Sequence, residues 1–136
     1  MLLVEDETLV RGLLARGLRS AGYDVVEAED GDAGMRQLLE KGPFDALCTD
    51  AVMPGCPVAE LIQQFKRKYP DGLVLVLSGY LPENLAPVLM ITNARLLRKP
   101  FSHSRLAAEL ENMRRSQALV DRATGRASAT LHRSRP

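Results

Sequence analysis

The property that most narrows the fold of this chain is a repeated switch in the spacing of its apolar residues. Short β-type runs, Leu2–Glu5, Tyr23–Ala28, Phe44–Asp50, Leu73–Ser78 and Ala94–Arg98, alternate with segments of helical spacing. The helical stripes read Leu9, Val10, Leu13, Leu14 and Leu18, then Met35, Leu38 and Leu39, then Val58, Leu61, Ile62 and Phe65, and last Leu106, Leu110 and Met113. Strand–helix repetition with such short helices predicts right-handed crossovers and a parallel sheet covered on both faces. The runs Leu73-Val-Leu-Val-Leu and Ala46-Leu-Cys lack alternate polar residues, as expected of strands buried on both sides. The 136 residues accommodate one α/β domain of five β/α units.

Boundary residues agree with this division. Gly22 follows the first helical stripe, Gly42-Pro43 the second, and Pro70-Asp71-Gly72 closes the third. The segment Leu81–Ile91 contains Pro82 and Pro87, so its helix should be short and start near Pro87, where a first-turn proline is tolerated. Its apolar stretch Val88-Leu-Met-Ile91 is expected to pack into the core. From Gln117 onward apolar periodicity fades. The expected organisation is therefore a domain over residues 1–116 and a frayed or disordered basic tail over 117–136.

Composition excludes several classes. With 46% hydrophobic and 26% charged residues the chain is neither disordered nor fibrous. No apolar run approaches the roughly 20 residues of a membrane span. The N-terminal stretch turns acidic at Glu5-Asp6-Glu7, unlike a signal peptide, and a cytoplasmic location is expected. Residues 117–136 hold four arginines and one acid, which leaves the body net −2 within an overall charge of +1. With 4% aromatic residues and no basic excess, direct nucleic-acid binding is not expected. Cys48 lies in an apolar run and reads as an inert buried thiol, and Cys56 lies in a loop. His103 reads as a helix-start residue and His132 as a tail residue.

In an open parallel sheet, ligands bind beyond the carboxyl ends of the strands. There the first run ends in Glu5-Asp6-Glu7, the third in Asp50, the fourth in Ser78-Gly79 and the fifth in Lys99-Pro100. Each has an ordinary explanation: Asp6 or Glu7 favouring a helix N-terminus, Asp50 capping a turn, Ser78 a turn hydroxyl, Lys99 a solvated lysine. Their conjunction has a shared chemical purpose. Clustered carboxylates repel and call for a hard divalent cation such as Mg²⁺. A lysine and a hydroxyl supply donors for phosphoryl oxygens, and Gly79 lets a main-chain N–H approach closely. A central carboxylate could then take a phosphoryl group, and Asp50 is that candidate because its strand should lie mid-sheet.

The segments Leu2-Leu-Val-Glu-Asp-Glu, Thr49-Asp50-Ala-Val-Met-Pro-Gly, Leu77-Ser-Gly-Tyr and Leu97-Arg-Lys-Pro-Phe resemble receiver domains of two-component response regulators over about residues 1–115. The resemblance implies a flavodoxin-like three-layer sandwich, a five-stranded parallel sheet in the order 2-1-3-4-5 with about five helices. It implies that a sensor histidine kinase or phosphotransfer protein donates a phosphoryl group to Asp50. Mg²⁺ would be held by Asp6, Asp50 and the main-chain carbonyl of Val52, with Glu5 acting through a water. Ser78 and Lys99 would contact the phosphoryl group, assisted by the N–H groups of Val52 and Gly79. The Lys99–Pro100 bond would be cis. A face formed by the fourth helix, fifth strand and fifth helix, near Arg95, Arg98 and Arg105, would serve output or homodimerisation.

Three positions depart from the family pattern. Leu96 stands where a switch aromatic is usual and cannot swap a ring between buried and exposed rotamers. Val58 stands where a glycine is common, and the first strand is short. An alternative reading is a degenerate receiver that acts as a phosphorylation-independent interaction module. A flavin or nucleotide enzyme on the same fold fits less well, because an acidic run replaces the glycine-rich phosphate loop after the first strand. The phrases Ser78-Gly-Tyr and Leu96-Leu-Arg-Lys-Pro-Phe-Ser resemble receivers of hybrid sensor kinases, and a stand-alone receiver is the competing picture.

Overall fold

Successive side chains of a strand point to opposite faces, so a strand between two helical layers must be apolar throughout. Leu73–Ser78 shows this directly: Val74 and Val76 enter one apolar cluster, Leu75 and Leu77 another. The computed structural model describes residues 1–125. Its elements are β1 (Leu2–Val4), α1 (Thr8–Ser20), β2 (Val26–Ala28), α2 (Gly31–Glu40), β3 (Ala46–Asp50), α3 (Val58–Lys68), β4 (Leu73–Ser78), α4 (Ala86–Thr92), β5 (Arg95–Arg98) and α5 (His103–Thr124). A 3-10 turn at Glu83–Leu85 leads into α4. All strand pairs are parallel and the order is β2-β1-β3-β4-β5, the flavodoxin-like topology expected.

The two clusters are the two outer interfaces of the sandwich. Leu14, Ala15 and Leu18 of α1 with Leu106, Leu110 and Met113 of α5 cover one face of the sheet. Leu38 of α2, Leu61, Ile62 and Phe65 of α3, and Leu89 of α4 cover the other. Fully burying side chains of this kind contributes about 1.5–3 kcal/mol each. The α1–α5 contact is close: a Cβ at Gly17 would meet the His103 ring carbon Cγ at 2.3 Å, so only glycine fits beneath the start of α5. Ser102 caps that start, accepting from the Arg105 N–H, and His103 is the helix's first residue.

Several expectations need correction. In α1 the apolar stripe is wider than its buried face, since Leu9 and Leu13 are 83% and 66% exposed. Leu39 is also exposed. Val88-Leu-Met-Ile91 is not wholly core: Leu89 is buried and Val88 half-buried, whereas Met90 and Ile91 are exposed. A seven-residue helix has room for about two buried positions per face, and Leu85 in the preceding turn supplies another anchor. The C-terminal boundary also moves. Helix α5 runs past residue 116 to Thr124, with Asp121 buried and accepting a hydrogen bond from the Gln117 amide, so 117–124 is helix rather than frayed tail. Leu119 and Val120 in this stretch are 62% and 52% exposed, so the helix continues without the buried apolar stripe that would have announced it. Residues 126–136, the rest of the expected tail with His132, lie outside the described residues. No helix among the described residues is long and apolar enough to cross a membrane.

Candidate functional site

The carboxyl ends of β1, β3, β4 and β5 lie side by side, which turns residues distant in sequence into neighbours. Pairing of Val4 with Thr49, of Asp50 with Leu77, and of Ser78 with Arg98 fixes the offsets. Glu5 and Asp6 therefore follow β1 beside Asp50, and Lys99 follows β5 beside Ser78, whose main-chain carbonyl accepts from the Lys99 N–H at 2.9 Å.

The acidic groups do converge. Carboxylate oxygens of Glu5, Asp6 and Asp50 all lie within 4.8 Å of one another, with Glu5 buried, Asp50 half-buried and Asp6 exposed. Lys99 closes the cleft opposite: its Nζ lies 3.1 Å from Asp50 Oδ2 and 3.4 Å from Glu5 Oε2. The Ala51 N–H donates to Asp50 Oδ1 at 2.8 Å, which fixes the plane of the carboxylate. The Glu5 main-chain carbonyl accepts from Arg11 at 2.9 Å, and the Glu7 N–H reaches Glu5 Oε1 at 3.3 Å.

Electrostatics follow from this crowding. Burial, and then the Asp50 charge, push the Glu5 carboxyl above its ordinary pKa, against the pull of the Glu7 N–H and Lys99. Burial alone would lower the Lys99 ammonium. The hydrogen bond and charge of Asp50, with Glu5 behind, outweigh it and hold Lys99 above its usual value. One cation facing three acids leaves the cleft net negative, and an all-oxygen donor set suits a hard divalent ion such as Mg²⁺.

The remaining expected residues are near the cleft but not all aimed into it. Val52 and Gly79 lie in the loops that follow β3 and β4. The Ser78 hydroxyl donates to the Tyr80 main-chain carbonyl. Leu96, in β5, is half-buried against the α2–α3–α4 cluster. The Lys99–Pro100 bond is cis, as is Gly42–Pro43, for which the sequence carried no signal.

The profile of the response regulator receiver domain matches residues 1–111. The chain belongs to this family. Response regulator receiver protein CpdR of Brucella abortus is 33% identical over 118 residues, covering 83% of this chain and 94% of CpdR. Sensor kinase CckA of the same organism is 34% identical over 119 residues, covering 86% of this chain but 13% of the kinase. Among solved structures, response regulator TrrA of Thermotoga maritima in complex with Mg²⁺-BeF superposes with a TM-score of 0.68 at 26% identity, covering 82% of this chain and 96% of that one.

Two groups of this receiver domain were missed by sequence reasoning. Arg11, one turn into α1, holds the main chain of Glu5 and pairs with Glu27 of β2 at 3.4 Å. At the start of α2, Gly31 and Asp32 bond to the loop after β3. An Asp-Gly-Asp sequence signals a helix cap, and nothing in it announces a partner loop more than twenty residues away.

Proposed function

We infer that this receiver domain accepts a phosphoryl group on Asp50 from a sensor histidine kinase or phosphotransfer protein, in a reaction that depends on Mg²⁺. The observation that carries the reading is the meeting of Glu5, Asp6 and Asp50 within 4.8 Å, with the Lys99 ammonium 3.1 Å from Asp50. Mg²⁺ bound by Asp6, Asp50 and the Val52 carbonyl, with Glu5 acting through a water, would neutralise charge on the transferring phosphoryl oxygens.

The chain's own groups do the rest. The Ala51 N–H and Lys99 orient the Asp50 carboxylate before the donor arrives, which removes part of the entropic barrier. As the new P–O bond to Asp50 forms, the donor's P–N bond breaks. The electron pair stays on the imidazole nitrogen, which takes up a proton. Lys99, the Ser78 hydroxyl turned away from the Tyr80 carbonyl, and the N–H groups of Val52 and Gly79 serve as donors to the phosphoryl oxygens. The modified domain then favours one of two surface states by as much as the phosphoryl group discriminates between them. The α4–β5–α5 face is the proposed place of output or homodimer contact, a reading supported by the exposure of Met90 and Ile91 on α4 and of Arg95 and Arg98 on β5. A cytoplasmic location goes with this reading.

Incubation with a small phosphodonor and Mg²⁺ should add the mass of one phosphoryl group to the intact protein. Asp50→Asn should add none. Unmodified wild type, or undiminished addition in Asp50→Asn, would refute the assignment and leave the phosphorylation-independent module as the better reading.

A further inference from the structure

The loop between β3 and α3 begins at Ala51, whose N–H is shared by Asp50 Oδ1 and the Leu77 carbonyl, and ends at buried Val58. Between these points Val52 is exposed, with 57% of its surface open. What fixes the middle of the loop is the first turn of α2. The Gly31 N–H donates to the Pro54 carbonyl at 3.0 Å, and the Cys56 N–H donates to Asp32 Oδ1 at 3.0 Å. Gly55 lies at φ +90°, and a Cβ there would stand 2.9 Å from the Asp32 nitrogen and 3.0 Å from its Oδ2. A Cβ on Gly31 would meet the Cys56 carbonyl at 2.1 Å. The two segments are pressed together with no room for a side chain on either glycine.

This arrangement goes with the departure at position 58. Where the family commonly has a glycine, Val58 is helical and buried, entered from Pro57. The loop takes its positive φ at Gly55, and there the Cys56 N–H meets Asp32. Asp30 caps the same turn by accepting from the Ala33 N–H at 2.7 Å, so Asp32 is left for the loop.

We propose that Asp32 is a positioning residue for the phosphoacceptor site: by holding the Cys56 N–H it sets the loop, and so the place of the Val52 carbonyl relative to Asp50. Asp32 touches neither Asp50 nor Lys99 by any hydrogen bond or ion pair found among the described residues, and it acts through the main chain alone. The inference rests on the reading of Val52 as a ligand of Mg²⁺.

The test is Mg²⁺ binding in the absence of any phosphodonor, measured by calorimetry and by the rise in melting temperature with MgCl₂. Asp32→Ala should raise the half-saturating Mg²⁺ concentration roughly fivefold, the size expected for the net loss of one ordinary hydrogen bond. Asp32→Asn keeps an oxygen acceptor while removing the charge, and should stay with wild type. Amide exchange gives a second readout: the Cys56 N–H should be protected in wild type and Asp32→Asn, and exchange freely in Asp32→Ala. If Asp32→Ala does not fold, Gly55→Ala disturbs the same contact from the loop side and should show the same Mg²⁺ shift. A wild-type midpoint in the alanine variants overturns the clamp, and so does an equal shift in Asp32→Asn, which would point to charge alone. Wild type with no Mg²⁺ response would instead overturn the underlying reading of the site.

Discussion

Two loops flank Asp50, and they are built in opposite ways. The one after β3 is tied at its start, middle and end: Ala51 to Leu77, Pro54 and Cys56 to α2, and Val58 into the core. The segment after β4 has the Ser78 hydroxyl on the Tyr80 carbonyl, a 3-10 turn, and a seven-residue helix with Met90 and Ile91 in solvent. Its grip on the core comes chiefly through Leu85 and Leu89. Under the proposed function, the first loop would hold the Val52 carbonyl in a fixed place for Mg²⁺, and the second would be free to rearrange if Ser78 turned to a phosphoryl group.

The largest expected effect that sharpens this comparison is at Leu85. Leu85→Ala should cost about 2–5 kcal/mol, a typical value for a buried leucine. With so few other anchors, the loss should appear first as faster amide exchange in α4, ahead of β4. Equal acceleration in both elements would show that the segment after β4 is as firmly held as its neighbour.

A pair of glycines makes the contrast direct. Gly55→Ala places a Cβ at positive φ against the Asp32 backbone and should destabilise by roughly 1–3 kcal/mol. At Gly79 a Cβ meets nothing within 4 Å, so Gly79→Ala should stay within about 0.5 kcal/mol of wild type. Urea melts of the two variants decide the matter, and similar midpoints would break the contrast.

The smallest effect concerns the two thiols. Burial pushes the Cys48 thiol up to about 12, while Cys56 is half-buried in the anchored loop and raised by burial together with Glu60 and Asp32. Alkylation at mildly alkaline pH should therefore modify Cys56 slowly and leave Cys48 untouched until the protein unfolds. Because Cys48 holds its proton more tightly folded than unfolded, its contribution to stability is full below about pH 9 and is lost as pH rises towards 12. Rapid modification of Cys48 in the native protein would contradict its place between the layers.

How much of this was legible beforehand depends on which force set each feature. The central strands β3 and β4 were readable because burial on both faces admits only apolar residues, as in Leu73–Leu77. Glu5, Asp6, Asp50, Ser78 and Lys99 were readable because a parallel sheet brings its strand ends to one edge. Side-chain direction was not. The Ser78 hydroxyl finds the Tyr80 carbonyl, a choice among local acceptors that spacing cannot specify. Exposure of Leu9, Leu13, Met90 and Ile91 was hidden because a helical stripe reports apolar character and not what covers it. The extension of α5 to Thr124 was missed because Ala, Gln and Arg are good helix formers without being core residues. The Asp32–Cys56 contact depends on loop geometry, to which Val58 was a clue without a direction.

The central claim is that Asp50, among three neighbouring acids, receives the phosphoryl group. Wild-type protein treated with phosphodonor and Mg²⁺ can be reduced with borohydride, which converts an acyl phosphate on aspartate to homoserine, and then digested and sequenced by mass spectrometry. The account predicts homoserine at position 50 and unaltered Glu5 and Asp6. A reduction product at Glu5, at Asp6 or at any other position with Asp50 intact would contradict it.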